Sequence, residues 1–212
     1  MKRHNLLLLT ALLTVNTAIS ADITLPAPSK SGGATLAEAL AARHSCRSFD
    51  PSRPLTDQQL SDLLWAACGV NRPDEGKRTN PTAFNRQEIS VYVFSAGGVS
   101  LYDPFANTLI SVADGDHRQL VAGQQAFVTD ATVSLVLVAD VAKFGDPANP
   151  HSATMAAVDA GIVCENINLF CAANGLATVP RASMDAAAIA RLLNLTPAQL
   201  PLLNNPVGYP HK

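Results

Sequence analysis

Residues 152–173 constrain this chain more than any other stretch. They read as one helix on which Met155, Val158, Ile162, Val163, Ile167, Leu169 and Phe170 fall on every side, leaving no polar face. Such a helix has to be covered all round, and a single domain of ordinary size seldom has room for that. A second subunit lying against one side removes the difficulty, so a homodimer is expected. A membrane span is not, because Asp159, Glu165, Asn166 and Asn168 interrupt the apolar run.

The elements around this helix mix two periods. Thr35-Leu36-Ala37-Glu38 is a capping box that opens a helix ending near Arg43, with Leu36 and Leu40 as an i, i+4 apolar pair. Thr56-Asp57-Gln58-Gln59 is a second box, followed by Leu60, Leu63, Leu64, Ala67 and Cys68 on one face and a stop at Gly69. Residues 89–94 alternate as a strand, Leu101-Tyr102 and residues 109–112 form a short hairpin pair, and residues 131–139 suit a central strand. After the long helix, which Gly175 ends, Asp185 caps a helix carrying Ile189, Leu192 and Leu193. Thr196-Pro197-Ala198-Gln199 predicts one more helix, with Pro at its first position, before an extended tail over residues 207–212. The fold class is α+β.

Both ends of the chain carry their own signals. Lys2-Arg3-His4, the apolar residues 6–15 and Ala18-Ile19-Ser20-Ala21 have the layout of a secretory signal, so residues 1–20 are expected to be removed and the protein to be periplasmic or secreted. Residues 21–34, with Pro26, Pro28, Gly32 and Gly33, read as an extended arm rather than a packed element. Residues 35–212 then form one domain. With 15 Lys+Arg against 17 Asp+Glu there is no basic excess for nucleic acid or an anionic membrane, and the expected partners are small molecules or another protein chain. Cys46, Cys68, Cys164 and Cys171 lie in apolar surroundings without Cys-x-x-Cys spacing, so buried free thiols are expected. Asp114-Gly115-Asp116-His117 reads as a polar turn, and no metal is expected.

Two stretches carry chemistry. In Arg43-His44-Ser45-Cys46-Arg47, an extended backbone would turn Arg43, Ser45 and Arg47 to one face. Two guanidinium forks and a hydroxyl suit a phosphate monoester; a helix-end arginine and a solvated one are the plainer alternative. In Arg78-Thr79-Asn80-Pro81-Thr82-Ala83-Phe84-Asn85-Arg86-Gln87, the amides of Asn85 and Gln87 suit the edge of a planar heterocycle, and a polar turn is the alternative. There is no dinucleotide or Walker glycine loop, no Gly-x-Ser-x-Gly elbow and no Cys/His pair at a recognisable spacing.

Taken in order, Arg43-x-Ser45-x-Arg47-x-Phe49, Leu63-Leu64-Trp65-Ala66-Ala67, Arg78-Thr79-x-Pro81-Thr82-Ala83-x-Asn85-x-Gln87, Asp159-Ala160-Gly161 with Asn166, and Val207-Gly208-Tyr209-Pro210 resemble the FMN-dependent nitroreductase superfamily, nearest its SagB-type dehydrogenase branch. The resemblance covers nearly all of residues 35–212. It implies a three-layer α/β/α sandwich, an obligate homodimer and one FMN per subunit at the dimer interface. Arg43, Ser45 and Arg47 would hold the FMN phosphate and ribityl chain or flavin edge, with His44 beside them, and Asn85 would address the ring. Pro81, Thr82 and Ala83 would approach from the partner subunit. Val179-Pro180-Arg181-Ala182 resembles the segment whose backbone N–H faces flavin N5, and Lys212 would stand for the terminal cation that reaches the phosphate.

The chain departs from the family pattern at Arg181-Ala182-Ser183, where many relatives have Glu-Gly or a glycine-rich turn. Arg181 is read either as a cation toward reduced flavin or an acidic substrate, or as a solvated loop arginine. Glu165 stands where relatives often have Gln and receives no role. The expected activity is an exported oxidoreductase that exchanges a donor for a quinone or nitroaromatic acceptor in ping-pong order, the chemistry residing on the flavin. A flavin-binding protein without turnover, and a secreted dimer with ordinary surface arginines, are the alternatives.

Overall fold

Side-chain caps decide where the helices of this chain begin. In the computed structural model, which describes residues 20–211, the chain starts on a short edge strand β1 (Ile23–Thr24). The signal-like residues 1–19 and Lys212 lie outside the described residues. Helix α1 (Leu36–Ala42) opens on the Thr35/Glu38 box and α2 (Asp57–Cys68) on the Thr56/Gln59 box, each with both reciprocal bonds formed. Gly69 closes α2 against the Trp65 ring, where an added Cβ would collide.

A two-stranded ribbon, β2 (Val70–Arg72) and β3 (Lys77–Arg78), leads into the main sheet. Strands β4 (Ile89–Ser95), β5 (Gly98–Asp103) and β6 (Thr108–Asp114) form a meander. Short helix α3 (Arg118–Ala122) precedes β7 (Val133–Asp140), and the long helix α4 (Pro150–Ala173) follows. Then come β8 (Ala177–Thr178), α5 (Ala186–Leu192) and β9 (Gln199–Gly208). The sheet is antiparallel throughout, in the order β1-β6-β5-β4-β7-β9-β8.

Alternation along the central strands builds two apolar faces. Ile89, Val91 and Val93 of β4, with Leu135, Leu137 and Ala139 of β7, meet Leu63, Leu64 and Ala67 of α2 and Ala160, Val163 and Ile167 of α4. The intervening Tyr92, Phe94, Val136 and Val138 meet Val121 and Ala122 of α3 and Ile189 of α5. Helices therefore cover both faces, and the expected α/β/α sandwich with residues 131–139 at its centre is the observed one.

Two local expectations are corrected. The arm is extended but docked: β1 pairs with β6, and Leu25 is buried against the α2 side of the core. Thr196 opens no helix. The bond from its N–H to Gln199 Oε1 forms, yet the chain turns directly into β9, which pairs along β7 from Gln199–Asp140 to Val207–Val133. Pro201 cannot propagate a helix, and it sits at the register shift opposite Leu137 and Val138, where a strand tolerates a missing N–H.

One stripe of α4 stays open in the single chain. Ser152, Ala156, Asp159, Ala160, Val163, Cys164, Ile167, Asn168 and Cys171 are buried, while Ala157, Val158, Gly161 and Glu165 face outward. Leu36 and Leu40 of α1 are exposed as well. All four cysteines are free thiols, and burial pushes Cys68 and Cys164 up to about 11.

Candidate functional site

Residues 43–48 leave α1 in an extended conformation anchored at both ends. The Cys46 N–H donates to Thr178 O (2.9 Å), Phe49 bridges Pro210, and the His211 N–H donates to Ser48 O (3.2 Å). Phe49 is buried and stacks on Phe127 with ring centroids 6.3 Å apart. His44 and Cys46 line a cavity of about 210 Å³ against the end of α4, with Asn168, Cys171 and Thr178. Arg43, Ser45 and Arg47 are not part of that lining, as alternation requires. Among the described residues neither guanidinium forms an ion pair or hydrogen bond, and the Ser45 hydroxyl is equally free. The donor set expected for a phosphate is thus present and unspent. His44 lines that cavity instead, its Nδ1 2.8 Å from Ala42 O.

The segment that follows β8 gives a different answer for each residue. Pro180 and Ala182 are exposed, and the Ala182 N–H has no partner among the described residues. Arg181 is 7% exposed and points inward. Its Nε donates to Gln125 Oε1 (3.0 Å), Nη1 to Val121 O (3.1 Å) and Asn204 Oδ1 (2.7 Å), and Nη2 to Ala122 O (3.1 Å). Its own N–H is held by Asn204 O at 2.9 Å. Both readings of its side chain therefore give way, since it is neither solvated nor directed at a ligand: it ties the C-terminus of α3 to β9. Gln125 and Asn204, its partners, escaped the sequence reading, although the polar pair Asn204-Asn205 inside an apolar strand was a visible signal.

Residues 78–87 lie elsewhere. The Ala83 N–H donates to Asp159 Oδ2 of α4 (2.7 Å), the Gln87 N–H to Thr82 Oγ1 (2.9 Å), and Gln87 Nε2 to Gly76 O (2.8 Å). The Gln87 side-chain N–H is thereby spent inside the loop, leaving Pro81, Phe84, Asn85 and Arg86 exposed, Phe84 at 79%. Phe84, Asn85 and Gln87 adopt φ of 54°, 55° and 49°, a left-handed conformation that side chains rarely take and that recurs at functional sites. Behind the loop, Arg78 Nε, both polar atoms of the Asn80 amide and both Glu88 carboxyl oxygens are buried without hydrogen bonds. Burial first, then Asp159, raises the Glu88 carboxyl to about 7 against the pull of its own amide and Lys143.

Strand register separates the two stretches. Ile89 pairs with Ala139, and Ala139 with Leu200; Ser95 pairs with Val133, and Val133 with Val207, which pairs with Thr178. The loop of residues 78–87 is thus at one end of the central strands and residues 43–48 at the other. Along α4, the Asp159 and Cys171 contacts are twelve residues apart, about 18 Å.

A family model described as the nitroreductase family matches residues 40–209. The chain belongs to the nitroreductase family. A Ralstonia eutropha protein described as a nitroreductase is 36% identical to this family member, over 91% of each chain, with a TM-score of 0.84. The Escherichia coli microcin synthetase complex McbBCD matches at 19% identity and TM-score 0.69 over 78% of this chain and 68% of that one. An NADPH:FMN oxidoreductase of Vibrio harveyi, complexed with NAD+, matches at 22% and 0.63 over 84% of this chain and 69% of that one. These last two likenesses concern the fold of the nitroreductase-family chain alone. No curated protein matches it.

Proposed function

We propose that this chain is an exported, FMN-dependent oxidoreductase, working as a homodimer and nearest the SagB-type branch of its family. The observation that carries the cofactor is the unspent donor set: two guanidiniums and a hydroxyl on one face of an extended segment, followed by the free Ala182 N–H. Arg43 and Arg47 would grip the phosphate, each able to make paired hydrogen bonds, and Ser45 would donate a third. Lys212 would add a terminal cation. The exposed Ala182 amide would meet the electron-rich edge of the ring, a fixed dipole that needs no reorganisation.

The dimer follows from the separation of the two stretches together with the open stripe of α4. Pro81, Thr82, Ala83 and Asn85 contributed by the partner subunit would complete each site, with the Ala83 N–H held by Asp159 of its own chain. Bound FMN supplies the two-electron chemistry, and no side-chain nucleophile is required. The chain's own residues bind the cofactor, orient it and shield one side from water. One shared cleft for donor and acceptor gives ping-pong order, with a quinone or nitroaromatic as acceptor. Branch membership rests on the ordered motifs from Arg43 to Pro210, and export on the layout of residues 1–20.

Export separates the mature protein from cytosolic reduced nicotinamides. The FMN-loaded protein, once reduced with dithionite, is therefore expected to be reoxidised quickly by quinones or nitroaromatics, and to be reduced only slowly by NADH or NADPH. Anaerobic stopped-flow absorbance tests this. Fast, saturable bleaching by either nicotinamide at low micromolar concentration contradicts the compartment argument, and flavin binding without turnover by any donor and acceptor pair favours a binding protein instead.

A further inference from the structure

Glu88 is fully buried at 0% exposure, and among the described residues neither of its carboxyl oxygens has a hydrogen-bond partner. An ionised carboxylate sealed away without a donor is among the most costly groups a fold can contain. The groups that face it come from three elements: Asp159 from α4, Lys143 from the turn after β7, and its own backbone amide. Lys143 Nζ is committed to Gln87 O at 3.0 Å. On β7 the Asp140 N–H donates to Glu88 O (3.0 Å), while the Asp140 carboxylate accepts from the Ala142 N–H (3.1 Å). Arg78 on β3 donates from Nη1 to Ile89 O (3.2 Å); its Nε and the Asn80 amide make no hydrogen bond to Glu88. The carboxyl of Asp159, itself only 4% exposed, remains, and it already accepts the Ala83 N–H.

We propose that Glu88 and Asp159 share one proton, and that this carboxyl pair positions the loop of residues 82–87. With the proton on Glu88, its O–H donates to Asp159, which keeps its charge for the Ala83 N–H. That arrangement supplies the missing donor and leaves a single negative charge. Three left-handed residues in six persist only where surrounding structure over-determines them: the Asp159 bond to Ala83 anchors the start of the loop, and Gln87, the last of the three, is held by Thr82, Gly76 and Lys143. Because the Glu88 acid lies above the ordinary carboxylate range, the shared proton is held at low pH and lost as pH rises through about 7. Two like charges then face each other behind the loop, and its anchor weakens. The effect on the loop stands on the fold alone; its effect on flavin rests on the function proposed above.

The test is amide exchange at Ala83 in the full chain by NMR, as protection factors at about pH 6 and about pH 8.5, beside the infrared spectrum and an FMN titration at each pH. Wild-type protection is expected to fall roughly tenfold or more across that interval, whereas Glu88→Gln, which can donate to Asp159 without titrating, stays within about twofold. At the lower pH the wild type is expected to carry the carbonyl band of a protonated carboxylic acid, absent in Glu88→Gln, and FMN affinity should track protection. Protection that does not change with pH in the wild type, or no protonated-acid band, overturns the proposal. Expected exchange and infrared results without FMN binding at either pH overturn the flavin reading alone. If Glu88→Gln does not fold, the wild-type pH profile and band decide.

Discussion

Arg181 carries its charge into the interior with no ion pair among the described residues, held by two carbonyls at the end of α3, the Gln125 amide and Asn204. Those carbonyls lie at the negative end of a helix; Ala122 O also accepts the Gln125 N–H (3.0 Å), whereas Val121 O has Arg181 as its partner. Truncation to Ala strands several buried acceptors at once, so Arg181→Ala should lose about 3–5 kcal/mol in urea denaturation, with Arg181→Lys recovering only part because an ammonium lacks the planar fork. A loss below about 1 kcal/mol would contradict this assignment. Arg43 and Arg47 look no different in the sequence, yet their guanidiniums are unspent. Which arginine is buried depends on α3 and β9, distant along the chain, and no local pattern around residue 181 reports them. That Arg43 and Arg47 share one face was readable because a spacing of four is even and strand side chains alternate.

At the scale of elements, capping and periodicity were readable wherever one local signal decided the outcome. The Thr35 and Thr56 boxes, the β4 alternation, the apolar run of β7 and the Asp185 cap all occur where the sequence predicts them. At Thr196 the same local chemistry formed a turn instead, because the prolines that follow and the waiting edge of β7 favour a strand. The left-handed loop of residues 82–87 had no signal at all, lacking glycine; tertiary anchors at Asp159 and Gly76 impose it. The open stripe of α4 carries the next expectation. Val158, 53% exposed in the single chain, would be buried in the dimer, so Val158→Asp should give a folded monomer at micromolar concentration by analytical ultracentrifugation while the wild type sediments as a dimer. A wild-type monomer, or a Val158→Asp dimer of undiminished stability, would tell against that surface.

The whole molecule presents two candidate stretches at opposite ends of one sheet, a segment carrying Arg43 and Arg47 by β8 and a strained loop ahead of β4. The α+β mixture was readable from the helix and strand periods and the three-layer architecture followed from the family resemblance, whereas the separation of the two stretches emerged only with the strand register. The central claim is that the unspent donors of Arg43, Ser45 and Arg47 exist to bind a flavin phosphate. Equilibrium titration of the cofactor-free protein with FMN, followed by flavin fluorescence, tests it most directly. Binding should saturate at one FMN per chain in the wild type and weaken by roughly 30-fold or more in Arg43→Ala, corresponding to at least about 2 kcal/mol for one desolvated charge contact, with the folded dimer retained. No saturable binding in the wild type, or the same affinity in Arg43→Ala, would contradict the account.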